Sequence, residues 1–200
     1  AVDLRDVKLG GMDIAGIFEC RECRLASVDV DNAEIGPSGR FALVSSKAKK
    51  LKWTGGVIKG SLELSNSALK RVSISNVDFT SSDVSLVLKS ASTKQLVLEN
   101  IKFSGSVDFQ DVVLIKAVFK NVVFGGPVNF EYAALHKTLF ENVTFMSEVA
   151  FDGATLKGNK WKFVKFAKRV SHRGCKDAKN TFENMTWPSE SFEFKCRKRA

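Results

Sequence analysis

Large apolar residues recur along the second half of the chain at steps of six, five, five and five. Written in rows of 21, residues 101–163 read IKFSGSVDFQDVVLIKAVFKN, VVFGGPVNFEYAALHKTLFEN and VTFMSEVAFDGATLKGNKWKF, aligned without a gap. Phe103, Phe109, Leu114 and Phe119 then fall above Phe124, Phe130, Leu135 and Phe140, and above Phe145, Phe151, Leu156 and Trp161. Two positions before most of these stands a smaller apolar residue, such as Ile101, Val107, Val112 or Ala117. A spacing of two puts both side chains on one face of a strand. Each step therefore predicts a three-residue strand and a corner, and four steps close one coil of a solenoid.

The register runs back to the N-terminus if the corner after the first side absorbs short loops at Gly36 to Phe41 and Thr80 to Val84. The first side then reads Ile14, Ile35, Ile58, Phe79, Phe103, Phe124, Phe145 and Phe166, and the second Cys20, Leu43, Leu64, Leu88, Phe109, Phe130 and Phe151. The third reads Leu4, Leu25, Ala48, Leu69, Thr93, Leu114, Leu135 and Leu156, and the fourth Leu9, Val30, Trp53, Ile74, Leu98, Phe119, Phe140 and Trp161. The expected architecture is all-β: a single-stranded parallel β-helix with four sides and about 7 to 8 coils, roughly 35 Å long at about 4.8 Å per coil. Residues 1–166 form the solenoid. Residues 167–200 leave the pattern and are expected to cap its end, where apolar side chains and strand edges would otherwise be bare. That segment holds Cys175, Cys196, Phe182, Trp187, Phe192 and Phe194.

The motifs VDLRD, VDFTS, VDFQD, VNFEY and VAFDG resemble the pentapeptide-repeat family, whose pattern is Ala, then Asp or Asn, then Leu or Phe, then two free positions. The likeness covers residues 1 to about 166 and departs from the family in using Val more than Ala and in its six-residue first corner. It implies a quadrilateral solenoid, with a generic parallel β-helix as the structural alternative. Members of that family occur in the cytosol, as secreted effectors and in the thylakoid lumen. Some imitate DNA, which needs an acidic rod; this chain carries a net charge of +9.

A solenoid stacks equivalent positions, so a property repeated in every coil becomes a stripe. The corner after the fourth side carries Asn32, Gly55, Asn76, Asn100, Asn121 and Asn142, read as a structural ladder because Asn tolerates left-handed backbone and its amide can bond to the next coil. The corner after the third side carries Lys49, Lys50, Lys70, Arg71, Lys94, Lys116, His136, Lys137 and Lys157, a basic ridge. The corner after the second side holds Glu22, Gln110, Asp111, Glu131 and Asp152, and separation of sign suits electrostatic docking. Outward strand positions are mostly polar. The exception is a panel of Val97, Val118 and Leu139 on the fourth side, with Val113, Ala134 and Ile115 beside them. A contiguous apolar panel marks an interface. The candidate partner-binding residues are this panel with Lys70, Arg71, Lys94, Lys116, Lys137 and Lys157.

Sixteen Phe against one Tyr and three Trp point to aromatic rings used as core filler. Four cysteines complete the picture. Cys175 and Cys196 are expected to form a disulfide that holds the cap, which implies an oxidising compartment. Cys20 and Cys23 face inward around one corner, as a buried thiol pair or a short-range disulfide. The chain opens at Ala1 without an initiator Met and already in register, which fits removal of an upstream targeting segment. Of two glycosylation sequons, at Asn142 and Asn184, only the second lies outside the ladder.

These features favour a docking or scaffold protein with no cofactor, no metal and no small-molecule substrate, expected as an accessory subunit of a larger, photosynthetic membrane assembly facing an acidic protein surface from a lumen. The runner-up is a secreted effector or adhesin with an acidic partner. Nucleic acid fits less well, since no aromatic stacking series accompanies the ridge. A polysaccharide-cleaving enzyme would need converging carboxylates, and only Glu131 and Asp152 are neighbours.

Overall fold

Each strand pairs in parallel with its equivalents one coil earlier and later. The first side runs in register through Ile14, Ile35, Ile58, Phe79, Phe103, Phe124, Phe145 and Phe166. The third runs from Leu4 through Leu25, Ala48, Leu69, Thr93, Leu114 and Leu135 to Leu156. The fourth stacks Leu9, Val30, Trp53, Ile74, Leu98, Phe119, Phe140 and Trp161. The second side forms its own sheet of eight short strands, from Ile17–Arg21 to Val170–Ser171. This computed structural model describes residues 2–189, 194 and 196–198; Phe192 lies outside them.

The solenoid has about nine turns rather than 7 to 8. Beyond Phe166, Lys176–Ala178 pairs with Thr155–Lys157, and Thr181–Glu183 with Lys160–Lys162. Arg197–Lys198 then pairs with Lys176–Asp177. The apolar pattern fades here, with Asp177 stacked on Leu156. Ladder bonds need only backbone N–H and C=O groups, so they continue where the side-chain signal stops.

The core is three columns of stacked rings. Phe103, Phe124, Phe145 and Phe166 lie face to face with centroids 5.2, 5.0 and 4.8 Å apart. Phe109, Phe130 and Phe151 follow at 4.8 and 5.1 Å, and Phe119, Phe140 and Trp161 at 4.6 and 4.0 Å. A ring stacked on its equivalent one coil away matches the strand spacing of about 4.8 Å, so the interior of this half takes one ring per coil on the first, second and fourth sides and Leu114, Leu135 and Leu156 on the third. Towards the N-terminus the inward row before the third side turns polar at Ser46 and Ser67, yet both are satisfied. Cys23 N–H donates to Ser46 Oγ and Ser46 N–H to Ser67 Oγ, each at 3.0 Å.

The corners explain the Asn stripe. Asn32, Asn76, Asn100, Asn121 and Asn142 all have φ between 48° and 55°, and Asn100, Asn121 and Asn142 each donate from Nδ2 to the Oδ1 one coil below at 2.9–3.0 Å. Gly55 takes the one position where a side chain would not fit: a Cβ there would lie 2.2 Å from Asn32 Oδ1. Phe163 occupies the next place in the stripe, exposed and with φ 53°.

Both cysteine pairs are disulfides, which settles the alternatives left open for Cys20 and Cys23. The Cys175–Cys196 bond joins residues 21 apart. It ties the returning chain to the last coil beside Trp187 and Phe194, whose rings stack at 5.9 Å over the core end. Closing a loop of this size contributes about 3 kcal/mol in the chain-entropy picture. Mild reduction is expected to accelerate amide exchange selectively in 176–186 while the stacked coils before Phe145 keep their protection, as read by hydrogen-exchange mass spectrometry.

Candidate docking surface

The six apolar residues of the expected panel lie around the corner between the third and fourth sides. On the fourth side Val97, Val118 and Leu139 are axial neighbours, flanked by Ser73 below and Lys160 above. On the third, Val113 lies next to Ala134, with Ser92 below and Thr155 above. Ile115 stacks beneath His136 and then Lys157. Val113 and Ile115 are exposed; the other four are half-buried. Each faces outward because its neighbours, Leu98, Leu114, Phe119 and Phe140, take the inward positions of the same strands.

Lys116 and Lys137 sit at the corner itself, with φ 53° and 56°, and divide the two halves of the panel. The ridge therefore passes through the apolar surface. Towards the N-terminus the third side opens into a groove of about 800 Å³. Lys70, Lys94, Val113 and Ile115 line it, together with Arg5, Arg24, Lys47 and Lys49. A hollow of about 280 Å³ on the fourth side is lined by Lys50, Lys52, Arg71, Gln95 and Val97. Val118, Ala134, Leu139, Lys116, Lys137 and Lys157 line neither and form a flatter extension. Sequence reasoning missed Arg24 and Lys47 because it followed corner residues; both are outward strand residues of the third side.

The corner after the second side is less uniformly acidic than its sequence. Arg173, one coil above Asp152, donates its backbone N–H at 2.6 Å and two guanidinium N–H groups at 3.2 Å to that carboxylate, and Ser171 Oγ donates as well. Near the N-terminal end of the second side, Glu19 is held by Arg21 and Arg40, and Arg40 also reaches Glu63 at 3.1 Å. Burial pushes both carboxyls up, but hydrogen bonds and nearby guanidinium charge outweigh it and hold Glu19 and Asp152 below the usual carboxylate range. A depressed folded pKa gives stability that is present above the ordinary carboxylate value and is lost as pH falls through the depressed one. Asp152→Asn is therefore expected to cost about 0 to 1 kcal/mol at neutral pH and nothing at acid pH, read as the pH dependence of the unfolding midpoint.

Among the described residues, no group of three or more His, Cys, Asp or Glu side chains is placed to hold a metal ion. None of their helices is long and apolar enough to cross a membrane. The sequon at Asn142 falls in the ladder, where its amide nitrogen bonds to Asn121. Asn184 is exposed, in a turn with φ 51°.

No family model matches the chain, and no curated protein matches it. Among solved structures it is similar to HetL, a pentapeptide repeat protein involved in heterocyst differentiation regulation from the cyanobacterium Nostoc sp. strain PCC 7120. That match has 13% identity, covers 92% of this chain and 84% of HetL, and has a TM-score of 0.32. It is also similar to a trypsin-treated form of QnrB1, a plasmid-mediated fluoroquinolone resistance protein, at 11% identity over 92% of this chain and 91% of that one, with a TM-score of 0.35. At these scores neither match carries an argument about this chain, and its fold stands on the strand register described above.

Proposed function

We propose that this protein is a non-catalytic docking rod, a divergent member of the pentapeptide-repeat family, and that it binds another protein through the panel of Val97, Val113, Ile115, Val118, Ala134 and Leu139. The cations Lys70, Arg71, Lys94, Lys116, Lys137 and Lys157 orient the partner, favouring one with an acidic surface. The observation that carries this reading is the axial contiguity of the panel: Val97, Val118 and Leu139 in one column, and Val113 and Ala134 in another with Ile115 on the same face of its strand, face away from a core that is already filled. Apolar contact supplies the area, and the surrounding charge supplies orientation and association rate.

The two disulfides support an oxidising compartment. An accessory subunit of a larger membrane-bound, photosynthetic assembly, docked from its lumenal face, is the concrete picture in which these features meet. In this picture the segment from residue 167 onward closes the end of the rod and leaves its flank to the partner. The test is capture of the native partner by Val118→Asp compared with Ala150→Asp, an outward strand position on the second side. Loss with the first variant alone is expected; equal capture by both would remove the panel as the interface.

A further inference from the structure

The groove on the third side gathers cations into one recess with almost no counter-charge. Several cations elsewhere on the rod do meet a carboxylate one coil away: Lys50 with Asp29 at 2.8 Å, Lys162 with Glu183 at 3.1 Å, Arg173 with Asp152 at 3.2 Å. The groove is lined by six cations, Arg5, Arg24, Lys47, Lys49, Lys70 and Lys94, against one carboxylate, Asp3. Among the described residues none of the six is in an ion pair. Like charges gathered without counter-ions repel one another, and a bound anion would relieve that repulsion.

Its shape is linear. The outward row Asp3, Arg24, Lys47, Ala68, Ser92 and Val113 is stacked in register over six coils. Five steps of about 4.8 Å make a track of roughly 24 Å. Small side chains at Ala68 and Ser92 hollow its middle, while Lys49, Lys70 and Lys94 form a file along one edge. The track ends at Val113 and Ile115, where the apolar panel begins.

We infer that this groove binds an extended acidic peptide segment, about seven residues long, lying along the rod with its carboxylates towards Lys49, Lys70 and Lys94 and small apolar side chains over Ala68. The inference rests on the docking reading and names the partner's contact: a segment continuous with the body that covers the panel. An extended chain advances about 3.4 Å per residue, so seven residues fill the track. A peptide can offer carboxylates and apolar side chains at once. Single-stranded nucleic acid binds by stacking its bases, and no aromatic residue lines the groove. A lipid surface is flat and would meet a ridge rather than a recess.

The experiment is fluorescence anisotropy with the full chain and a labelled eight-residue peptide of alternating Glu and Leu. A Lys–Leu peptide, an oligothymidine, heparin and vesicles of anionic phospholipid serve as comparisons. The Glu–Leu peptide is expected to bind with affinity that falls as salt rises, and the Lys–Leu peptide not at all. The combined variant Lys49→Glu, Lys70→Glu, Lys94→Glu should weaken binding at least about tenfold, since each exposed charge contributes a factor of a few. Lys102→Glu, exposed on the first side, should change it less than about twofold. Tighter binding of oligothymidine, heparin or vesicles than of the peptide, or equal loss in both variants, would overturn the inference. Absence of peptide binding, with partner capture still abolished by Val118→Asp, removes the groove and leaves the docking rod standing. Peptide binding lost in the triple variant, with capture indifferent to Val118→Asp, removes the panel and leaves the groove.

Discussion

Phe119→Ala is expected to destabilise the rod by roughly 3–5 kcal/mol, the range for removing a fully buried aromatic ring. Phe119 is wholly buried and joins all three ring columns: it stacks on Phe140 at 4.6 Å, meets Phe109 and Phe130 edge-on at 5.8 and 6.4 Å, and lies 6.3 Å from Phe124. The cavity cannot close by local collapse. The coils on either side are held at fixed separation by the Val97–Phe103 and Leu139–Phe145 ladders that flank this strand. In a stack stabilised by nearest neighbours, a weakened interface in the middle also lowers the cooperativity that joins the two halves. Denaturant unfolding should therefore show both a lower midpoint and a broader or biphasic transition. A loss below about 1 kcal/mol, which is a surface-like value, would contradict the ring-column account of the core.

Val118→Asp should have the second large effect, this time on association. The residue lies between Val97 and Leu139 on an outward row, so an Asp there places a charge at the centre of a surface that must lose water on binding, with only apolar neighbours along the axis. An unpaired buried charge costs several kcal/mol, and central interface positions commonly carry 2 kcal/mol or more. The expected result is a loss of affinity of roughly thirtyfold or greater. The free protein should stay folded, because the inward Ala117 and Phe119 are unchanged. Lys116→Ala and Lys137→Ala should each cost only about 0 to 1 kcal/mol and act mainly on the association rate. Circular dichroism matched to the parent chain, together with lost capture, separates this outcome from misfolding.

The coil register was legible residue by residue because every coil repeats the same packing problem. Phe103, Phe124 and Phe145 must each meet the equivalent ring one coil away, and a slip of one residue would turn all of them outward. The Asn stripe was legible for a similar reason, since left-handed backbone excludes most other side chains. The extra coil was not: Asp177 and Ala178 carry no apolar signal, and their pairing with Leu156 and Lys157 rests on backbone groups that all residues share. The partner of Asp152 was hidden by the same lapse, since Arg173 lies in that coil. The groove was illegible for another reason. It arises from small outward residues, Ala68 and Ser92, between larger neighbours, and size contrast on a solvated face leaves no periodic trace in a sequence read for its core.

The most direct test of the docking surface is hydroxyl-radical footprinting of the protein free and in complex with its native partner, because it reports the exposure of individual side chains. Ile115 and Val113, 40% and 38% exposed in the free chain, should lose most of their reactivity on binding, with Leu139 and Val118 following. Met146, 47% exposed at the corner after the first side and so diagonally across the rod from the panel, should react equally in both states. Protection of Met146 with Ile115 and Val113 unchanged would place the partner on another side of the rod and contradict the account.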